Sequence, residues 1–199
     1  IVRYDQESIC SYEACVKFRL PDNRGYVNIA GFYIESDNWH EVQVLVNDQG
    51  QLVSSAFIAA RASIESAGFE IETAYDITDN LKFTAAFGYT DASYRDFQVS
   101  ATENLRGLPV KLVSEFDGNI ALRYETDGGI VGRGEVSLTG RTPLDERSNA
   151  VQGSGAVINL QAGYEGERYA IRFLAENLTN RRIFSGLAFQ NAAGDDGNL

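Results

Sequence analysis

The chain has 199 residues, of which 44% are hydrophobic, with 10 Tyr, 11 Phe, 19 Gly and only 3 Pro. This composition favours β-structure with many turns over helix or disorder. The formal net charge of -11 excludes non-specific attraction to nucleic acid or to anionic lipid surfaces, so no nucleic-acid partner is expected.

Apolar and polar residues alternate along most of the chain, which is the period of a β-strand and not of a helix. Eight strands are predicted. In chain order they cover residues 11–20, 27–33, a stretch of about 20 residues that ends near 77, then 81–89, 119–125, 133–141, 158–164 and 169–176.

The predicted connections differ in length in a regular way. Short turns at 21–25, 78–80, 127–129 and 165–167 alternate with long polar connections near 36–55, 91–112, 143–153 and 185–199. A rim of short turns opposite a rim of long loops is typical of outer-membrane barrels. The predicted fold is therefore all-β, an antiparallel up-and-down meander of about eight strands.

Each predicted strand has one apolar side and one side that carries charge. The charged side chains are candidates for the interior of a barrel: Glu13, Lys17, Arg19, Glu70, Glu72, Lys82, Arg123, Glu125, Arg133, Glu135, Arg172 and Glu176. Glu70 and Glu72 share a strand face, and we expect them to meet Lys82 or Arg19 across strands and not to form a catalytic acid/base pair.

Four tyrosines on the apolar side lie within a few residues of a short turn, namely Tyr75, Tyr124, Tyr164 and Tyr169. A tyrosine ring is apolar and its hydroxyl favours water, so rings at a constant height predict a membrane-interface girdle.

Signals for catalysis are missing from the sequence. His40 is the one histidine, so no Ser-His-Asp set is available, and neither a cofactor nor a metal site is predicted. Cys10 and Cys15 are five residues apart, which places them on opposite strand faces and too far apart for a disulfide. Residue type and loop position identify the candidate ligand contacts as Trp39, His40, Asn104, Arg106 and Arg147.

Several stretches, taken in order, resemble the TonB-dependent outer-membrane receptors. "AVINLQAGYEGERYAIRFLAENLTNRRIF" (156–184) is similar to their penultimate hairpin, which commonly closes in Asn-Leu-Thr/Phe-Asp/Asn-x-x-Tyr/Phe. "SYEACVKFRLPDNRGYVNIAGFYIES" (11–36) resembles their Tyr-Glu-x-Gly-x-Lys hairpin, and "ARASIESAGFEIETAYDITDNLKFTAAFGYTDASYRDF" (60–97) resembles their Ala-x-x-x-Gly-x-Glu-x-Glu and Gly-Tyr-Thr-Asp-Ala-x-Tyr strands. Cys15 departs from the usual Gly, and "LRGLPVKLV" (105–113) lacks the usual Ala-Pro.

The resemblance implies that residues 1–199 are the C-terminal part of such a barrel, about eight of roughly 22 strands, without plug, TonB box or final strand. It implies a bacterial outer-membrane location and import of a metal chelate or siderophore, cobalamin or carbohydrate with energy from the TonB complex. The implied partners are outer-membrane lipid, the receptor's own plug domain, the TonB complex indirectly, and a small-molecule substrate. Asn177 to Asn180 would mark the passage to the outer rim, where Arg181 and Arg182 could reach water or anionic head groups.

Two alternatives from other classes remain open at this point. One is a complete eight-stranded outer-membrane barrel with a structural or adhesion role, which needs the first strand to pair with the eighth. The other is a soluble β-protein that binds carbohydrate, in which the apolar faces would pack on each other.

Overall fold

A computed structural model describes residues 6–46, 52–99 and 102–184, with the side chains of 41–61 left aside. Its described residues form ten strands and no helix. The strands are β1 (Ser8–Arg19), β2 (Gly25–Val46), β3 (Leu52–Asp76), β4 (Leu81–Phe97), β5 (Phe116–Glu125), β6 (Ile130–Thr139), β7 (Thr142–Pro143), β8 (Val151–Gln152), β9 (Gly155–Glu165) and β10 (Ala170–Ala175).

Eight of the strands form one antiparallel sheet in the order β1-β2-β3-β4-β5-β6-β9-β10. Each strand pairs with its neighbours in the chain, apart from the short ribbon β7-β8, which is an excursion between β6 and β9. The predicted meander of eight strands is confirmed, and the short turns lie within two residues of their predicted positions.

The long-loop side of the sheet differs from the prediction. The polar connection expected at 36–55 is wrong, because β2 continues to Val46 and β3 begins at Leu52. The segment expected to be irregular at 91–112 begins later, since β4 continues to Phe97. The predicted loop at 143–153 contains the β7-β8 ribbon. The predicted connection at 185–199 lies outside the described residues.

Alternate positions of neighbouring strands join into one continuous surface, termed here the apolar face. One row of directly opposed residues crosses seven strands through Val16, Ile29, Ile71, Phe87, Gly118, Leu138 and Ala156. Large side chains on this face are exposed, and Phe173 reaches 72%. Strand pairing thus aligns the apolar sides of separate strands, as a membrane-facing wall requires.

The apolar face has the height of a bilayer core. On β4 it extends from Leu81 to Tyr89, about 27 Å of strand at roughly 3.4 Å per residue. At a tilt of about 40° this gives a band of about 21 Å, close to the roughly 25 Å of outer-membrane barrels.

Tyrosines border this band at both ends. The predicted set of Tyr75, Tyr124, Tyr164 and Tyr169 shares the apolar face, with the rings of the last two 5.7 Å apart and the Tyr75 hydroxyl donating to Asp22 Oδ2 at 2.8 Å. A second set at the long-loop end was not predicted. It consists of Tyr12, directly opposite Tyr33, and of Tyr89, directly opposite both Phe69 and Phe116.

The opposite surface is termed the polar face. In its row next to the one above, the opposed residues are Lys17, Asn28, Glu72, Ala86, Asn119, Ser137 and Val157. Near the long-loop end this face carries the hydrophobic core of the described chain, formed by Ala62, Tyr94, Phe97, Leu105 and Val110. Leu105 and Val110 come from the connection between β4 and β5, which follows the edge of β4 through backbone hydrogen bonds such as Val110 N to Ala92 O (3.0 Å).

Strands β1 and β10 lie at opposite edges of the eight-stranded sheet, and in the described residues they do not pair with each other. The described residues therefore do not form the closed eight-stranded barrel of the first alternative, which requires that pairing. The soluble alternative requires the apolar faces to pack on each other, whereas among the described residues this face is exposed. Cys10 and Cys15 are both free and exposed, on opposite faces of β1 as predicted.

Candidate functional site: the polar face and the long-loop rim

The strand register brings most of the predicted interior residues onto the polar face. These are Glu13, Lys17, Arg19, Glu70, Glu72, Lys82, Arg123, Glu125, Arg133, Glu135 and Arg172. Glu176 lies just beyond the end of β10 and is exposed. That this face meets the interior of a barrel remains a prediction.

Cations on β5, β6 and β10 are neutralised within the sheet itself. Arg123 Nη2 lies 2.8 Å from Glu125 Oε2, and Arg133 Nε donates to Glu135 Oε2 at 3.1 Å. Arg123 and Arg133 are directly opposed in register, an arrangement of like charges that destabilises a sheet unless it is compensated. Each arginine therefore uses the glutamate two positions along its own strand, and Arg172 pairs across strands with Glu165 at 2.8 Å.

The expected pairing of Glu70 and Glu72 with Lys82 or Arg19 is wrong. Glu72 accepts hydrogen bonds from the Tyr26 hydroxyl (2.9 Å) and from Asn28 Nδ2 (3.2 Å). Lys82 lies 3.8 Å from Asp76 on the paired strand. Within the described part of the chain, no ion pair reaches Glu13, Lys17, Arg19 or Glu70.

Trp39 and His40 lie on a strand and not in the predicted loop. Asn38 adopts a left-handed conformation (φ 57°) where the register between β2 and β3 shifts, which is a β-bulge. Trp39 then lies directly opposite Ala62 and packs against the core on the polar face. His40 Nδ1 is 3.4 Å from Glu7 Oε1, which also accepts a hydrogen bond from the His40 amide at 2.9 Å. The sequence missed this because the strand alternation is interrupted at the bulge.

Asn104 holds the turn of the connection between β4 and β5. Its Nδ2 donates to Asp96 Oδ1 (2.7 Å) and to Gln98 Oε1 (3.0 Å), while its Oδ1 accepts from the Arg106 amide (2.9 Å). Both ends of this side chain are therefore engaged within the loop. Among the described residues, the exposed Arg106 side chain makes no ion pair.

Arg147 joins the two long connections. Its Nε and Nη2 each lie 2.9 Å from a carboxylate oxygen of Glu103, a bidentate arrangement. These hydrogen bonds lower the pKa of the Glu103 carboxyl and raise that of Arg147, against the effect of desolvation in each case. The Leu112 amide also donates to the Pro143 carbonyl at 2.8 Å, so the two connections form one tied rim.

Arg95 is a rim residue that sequence reasoning missed. It stands at a register shift between β3 and β4, and its guanidinium lies 2.6 Å from both Glu35 Oε1 and Asp37 Oδ1. The Tyr33 hydroxyl donates to the same Glu35 oxygen at 3.1 Å. This cluster adjoins the end of the apolar band. Its charged side chains require water, so it marks the end of the membrane-facing part of the sheet. The cluster depends on β2 continuing beyond its predicted end at residue 33 and on the bulge at Arg95, and neither is evident from the alternation.

The segment 177–181 folds back onto β9. Asn177 (φ 51°) and Asn180 (φ 49°) are both left-handed, a conformation that Asn tolerates better than most residues. Asn177 Oδ1 accepts from the Arg181 amide at 2.9 Å and its Nδ2 donates to the Arg181 carbonyl at 3.0 Å. The side chain of Arg181 donates to the carbonyls of Ser154 (3.1 Å) and Gly153.

The guanidinium of Arg181, which is half-exposed, thus fastens the end of β10 to the connection before β9, and its predicted contact with water or head groups stays a prediction. Arg182 is exposed.

The described residues contain no group of three His, Cys, Asp or Glu side chains placed to hold a metal ion. They also contain no helix long and apolar enough to cross a membrane.

Comparison with known proteins identifies the family to which this sheet belongs. The family described as TonB dependent receptor-like, beta-barrel matches residues 5–178. The chain belongs to the TonB-dependent receptor family. Members of this family are bacterial outer-membrane transporters and not enzymes, which fixes the location of the chain and confirms the predicted absence of enzymatic activity.

Solved receptors share the fold. The ferric yersiniabactin uptake receptor FyuA from Yersinia pestis superposes with a TM-score of 0.74 at 18% identity, covering 94% of this chain and 27% of that chain. The copper transporter OprC superposes with a TM-score of 0.74 at 13% identity, covering 97% of this chain and 30% of that chain. The ferric citrate transporter FecA superposes with a TM-score of 0.67 at 16% identity, covering 86% of this chain and 26% of that chain. The chain thus spans less than a third of the length of these receptors.

Proposed function

We propose that the chain is the barrel portion of a TonB-dependent receptor that imports a scarce nutrient, with energy from the inner-membrane TonB complex. The nutrient classes are a metal chelate such as a siderophore complex, cobalamin or a carbohydrate. A metal chelate is placed first because the similar structures named above are two ferric-chelate proteins and a copper transporter.

The main support for the proposal is that the sheet, which matches the receptor family, has an apolar face and a polar face on opposite sides. The apolar face is continuous and bilayer-high, whereas the polar face places acids and bases in the same rows. A plugged transporter needs an outer surface for lipid and an inner surface that can hold a polar interior domain.

Uptake assays in cells test this function. The complete receptor that contains this chain is expressed in a host that lacks its own receptors, and labelled ferric siderophores, cobalamin and oligosaccharides are offered in turn. Accumulation of one class that disappears in a strain without TonB supports the proposal. Accumulation that is equal with and without TonB contradicts it.

Glu70 provides a sharper probe of the polar face. It shares the register row of Gly88 and Asp117, and no described residue pairs with its carboxylate. Glu70→Lys is expected to reduce uptake at least about tenfold while the amount of folded receptor stays unchanged, because it reverses a charge available to the interior domain. Glu167→Lys, an exposed residue in the turn between β9 and β10, is the matched control and should leave uptake intact.

A further inference from the structure

A cleft at the long-loop rim, termed here the ribbon cleft, combines apolar walls with two arginines. It lies between the β7-β8 ribbon and residues 181–184, and it encloses about 500 Å³, a volume typical of small-molecule sites. Among the described residues that line it there is no acid. The whole chain carries a formal net charge of -11, so the positive charge here is a local feature. The side chains that matter below are Leu144, Ala150, Val151, Phe184, Arg181 and Arg182.

Both walls of the ribbon cleft are held by hydrogen bonds. On the ribbon side, the Leu144 amide donates to the Ala150 carbonyl at 2.9 Å, and the Ala150 amide donates to Asp145 Oδ2 at 2.7 Å. On the other side, the Phe184 amide donates to Gln152 Oε1 at 2.7 Å, which ties the segment after β10 to β8. The cleft therefore has the preformed geometry that small-molecule sites usually have.

Gly155 shows on which side of the sheet the arginines of the cleft lie. It is paired with Thr139, one position from the apolar pair of Ala156 and Leu138, so a side chain at Gly155 would point to the polar face. A Cβ there would collide with the Arg181 guanidinium, which occupies this space. The cationic part of the cleft is thus on the polar face, at the rim of long loops that outer-membrane barrels direct to the exterior.

The charges of both arginines are available to an anion. Arg181 donates to the carbonyls of Ser154 and Gly153, which leaves its charge unneutralised and further N–H groups unused. Arg182 is exposed, and no acid of the described residues forms an ion pair with it. A guanidinium pairs with a carboxylate through parallel hydrogen bonds and stacks on aromatic rings.

We propose that the ribbon cleft binds an aromatic ring that carries an anionic group, as one part of the imported nutrient. The apolar walls cover the ring, and Arg182, supported by the charge of Arg181, pairs with the anionic oxygens. This inference rests on the proposed import function and narrows the nutrient. A neutral carbohydrate has no anion for the arginines, and an aliphatic anion has no ring for the walls.

Binding of salicylate to the full-length receptor, purified in detergent, tests the proposal. Salicylate joins an aromatic ring to a carboxylate. Benzyl alcohol has the ring without the charge, and acetate has the charge without the ring. Ligand-observed NMR titrations give the three affinities for the wild-type receptor and for its variants. Arg168, an exposed arginine in the turn between β9 and β10 at the opposite rim, provides the matched control.

Salicylate is expected to bind at least about tenfold more tightly than benzyl alcohol or acetate. Arg182→Gln should weaken salicylate binding about tenfold, because a charge-assisted hydrogen bond is lost, and Arg182→Lys should recover part of this loss. Arg168→Gln should bind as the wild type does. Val151→Asp, which places a negative charge in the apolar wall, should abolish binding while the heat-modifiable mobility of the folded barrel is retained.

Several results would overturn the proposal. They are equal affinities for the three compounds, salicylate binding that Arg182→Gln leaves unchanged, and a wild-type receptor that binds no salicylate because lipid or another part of the receptor fills the cleft. TonB-dependent uptake of a nutrient without an aromatic anion would also refute it, and would leave the import function standing. Failure of the import function itself is recognised separately, as uptake that is equal with and without TonB.

Discussion

Asn177 concentrates several interactions in one side chain at the end of β10. Its Oδ1 accepts from the Arg181 amide and its Nδ2 donates to the Arg181 carbonyl. The Thr179 hydroxyl lies 2.9 Å from the Ala156 carbonyl, so the segment is fastened to β9. The Asn-Leu-Thr-Asn sequence thus closes the strand, and the arginine after it is part of the closure.

Asn177→Ala is expected to destabilise the folded barrel by about 1 to 2 kcal/mol, because hydrogen bonds of roughly 0.5 to 1.5 kcal/mol each are lost. Thermal unfolding of the receptor, followed by its shift in electrophoretic mobility, measures this. Asn180→Ala is the matched control, since Asn180 has the same left-handed backbone but no side-chain hydrogen bond among the described residues. Equal losses in both variants would show that backbone strain, and not the Asn177 side chain, is responsible.

The Glu103–Arg147 pair predicts a pH dependence of the long-loop rim. Hydrogen bonding to Arg147 holds the pKa of Glu103 below its ordinary value of 4.5. A carboxyl group with a lowered folded pKa stabilises the fold above its unfolded pKa, and this contribution is lost as the pH falls through the folded pKa. The rim should therefore be tied at neutral pH and should loosen below about pH 4.5.

Hydrogen exchange of residues 102–106, corrected for intrinsic rates, measures this loosening between about pH 7 and pH 3.5. Arg147→Gln should remove the pH-dependent difference by exposing the segment at both pH values. Arg106→Gln should preserve it. A rim equally protected at both pH values in the wild-type chain is inconsistent with the assigned role of the pair.

Close packing between strands depends on glycine at a few positions. A Cβ on Gly68 would lie 2.6 Å from Phe32 Cζ and would also collide with the Tyr89 carbonyl, so the Phe32 ring covers this glycine across the β2-β3 pair. At Gly31, one position away on the opposite face, the nearest atom to a Cβ would be the Gly68 carbonyl oxygen at 3.9 Å.

Gly68→Ala is therefore expected to reduce the amount of folded receptor in the outer membrane severalfold, because a backbone carbonyl cannot move aside as a flexible side chain can. Gly31→Ala should assemble at the wild-type level. The folded fraction is measured by heat-modifiable mobility on gels, and a normal level for Gly68→Ala would refute the packing argument.

Strands within the apolar band were predictable from sequence because lipid imposes strict alternation there. Positions 81–89, for example, alternate cleanly, and β4 has that face pattern. The extensions of β2 and β3 toward residues 46 and 52 were not predictable, since strands that leave the bilayer lose the apolar side. The bulges at Asn38 and Arg95 further shift the alternation.

The candidate site was predictable only as a face and not as a set of contacts. The charged residues could be assigned to one side of each strand from alternation alone. Their partners could not, because the pairing of Lys82 with Asp76 and of Glu72 with Tyr26 depends on the register between strands. Arg147 was selected as a ligand contact by type, whereas its bidentate partner, Glu103, lies 44 positions away in sequence.

In the whole molecule, a charged substitution should destabilise the face that contacts lipid and should be accepted on the opposite face. Phe87 lies within the apolar band, two positions from Tyr89 at its border, and Ala86 lies beside it on the polar face. Phe87→Arg should destabilise the barrel and reduce assembly sharply, because arginine on the lipid face costs up to about 2 to 4 kcal/mol at the bilayer midplane and less toward the interface. Ala86→Arg should assemble near the wild-type level, and similar losses in the two variants would contradict the assignment of faces.

Spin-label accessibility along β4 tests the central claim that one face of this sheet meets lipid. Single labels are placed at positions 81 to 89 of the full-length receptor in membranes, and collisions with oxygen, which partitions into lipid, are compared with collisions with a water-soluble nickel chelate. Oxygen contact with a period of two and maxima at 81, 83, 85, 87 and 89 is predicted. Maxima at the even positions, or no periodicity, would contradict the account.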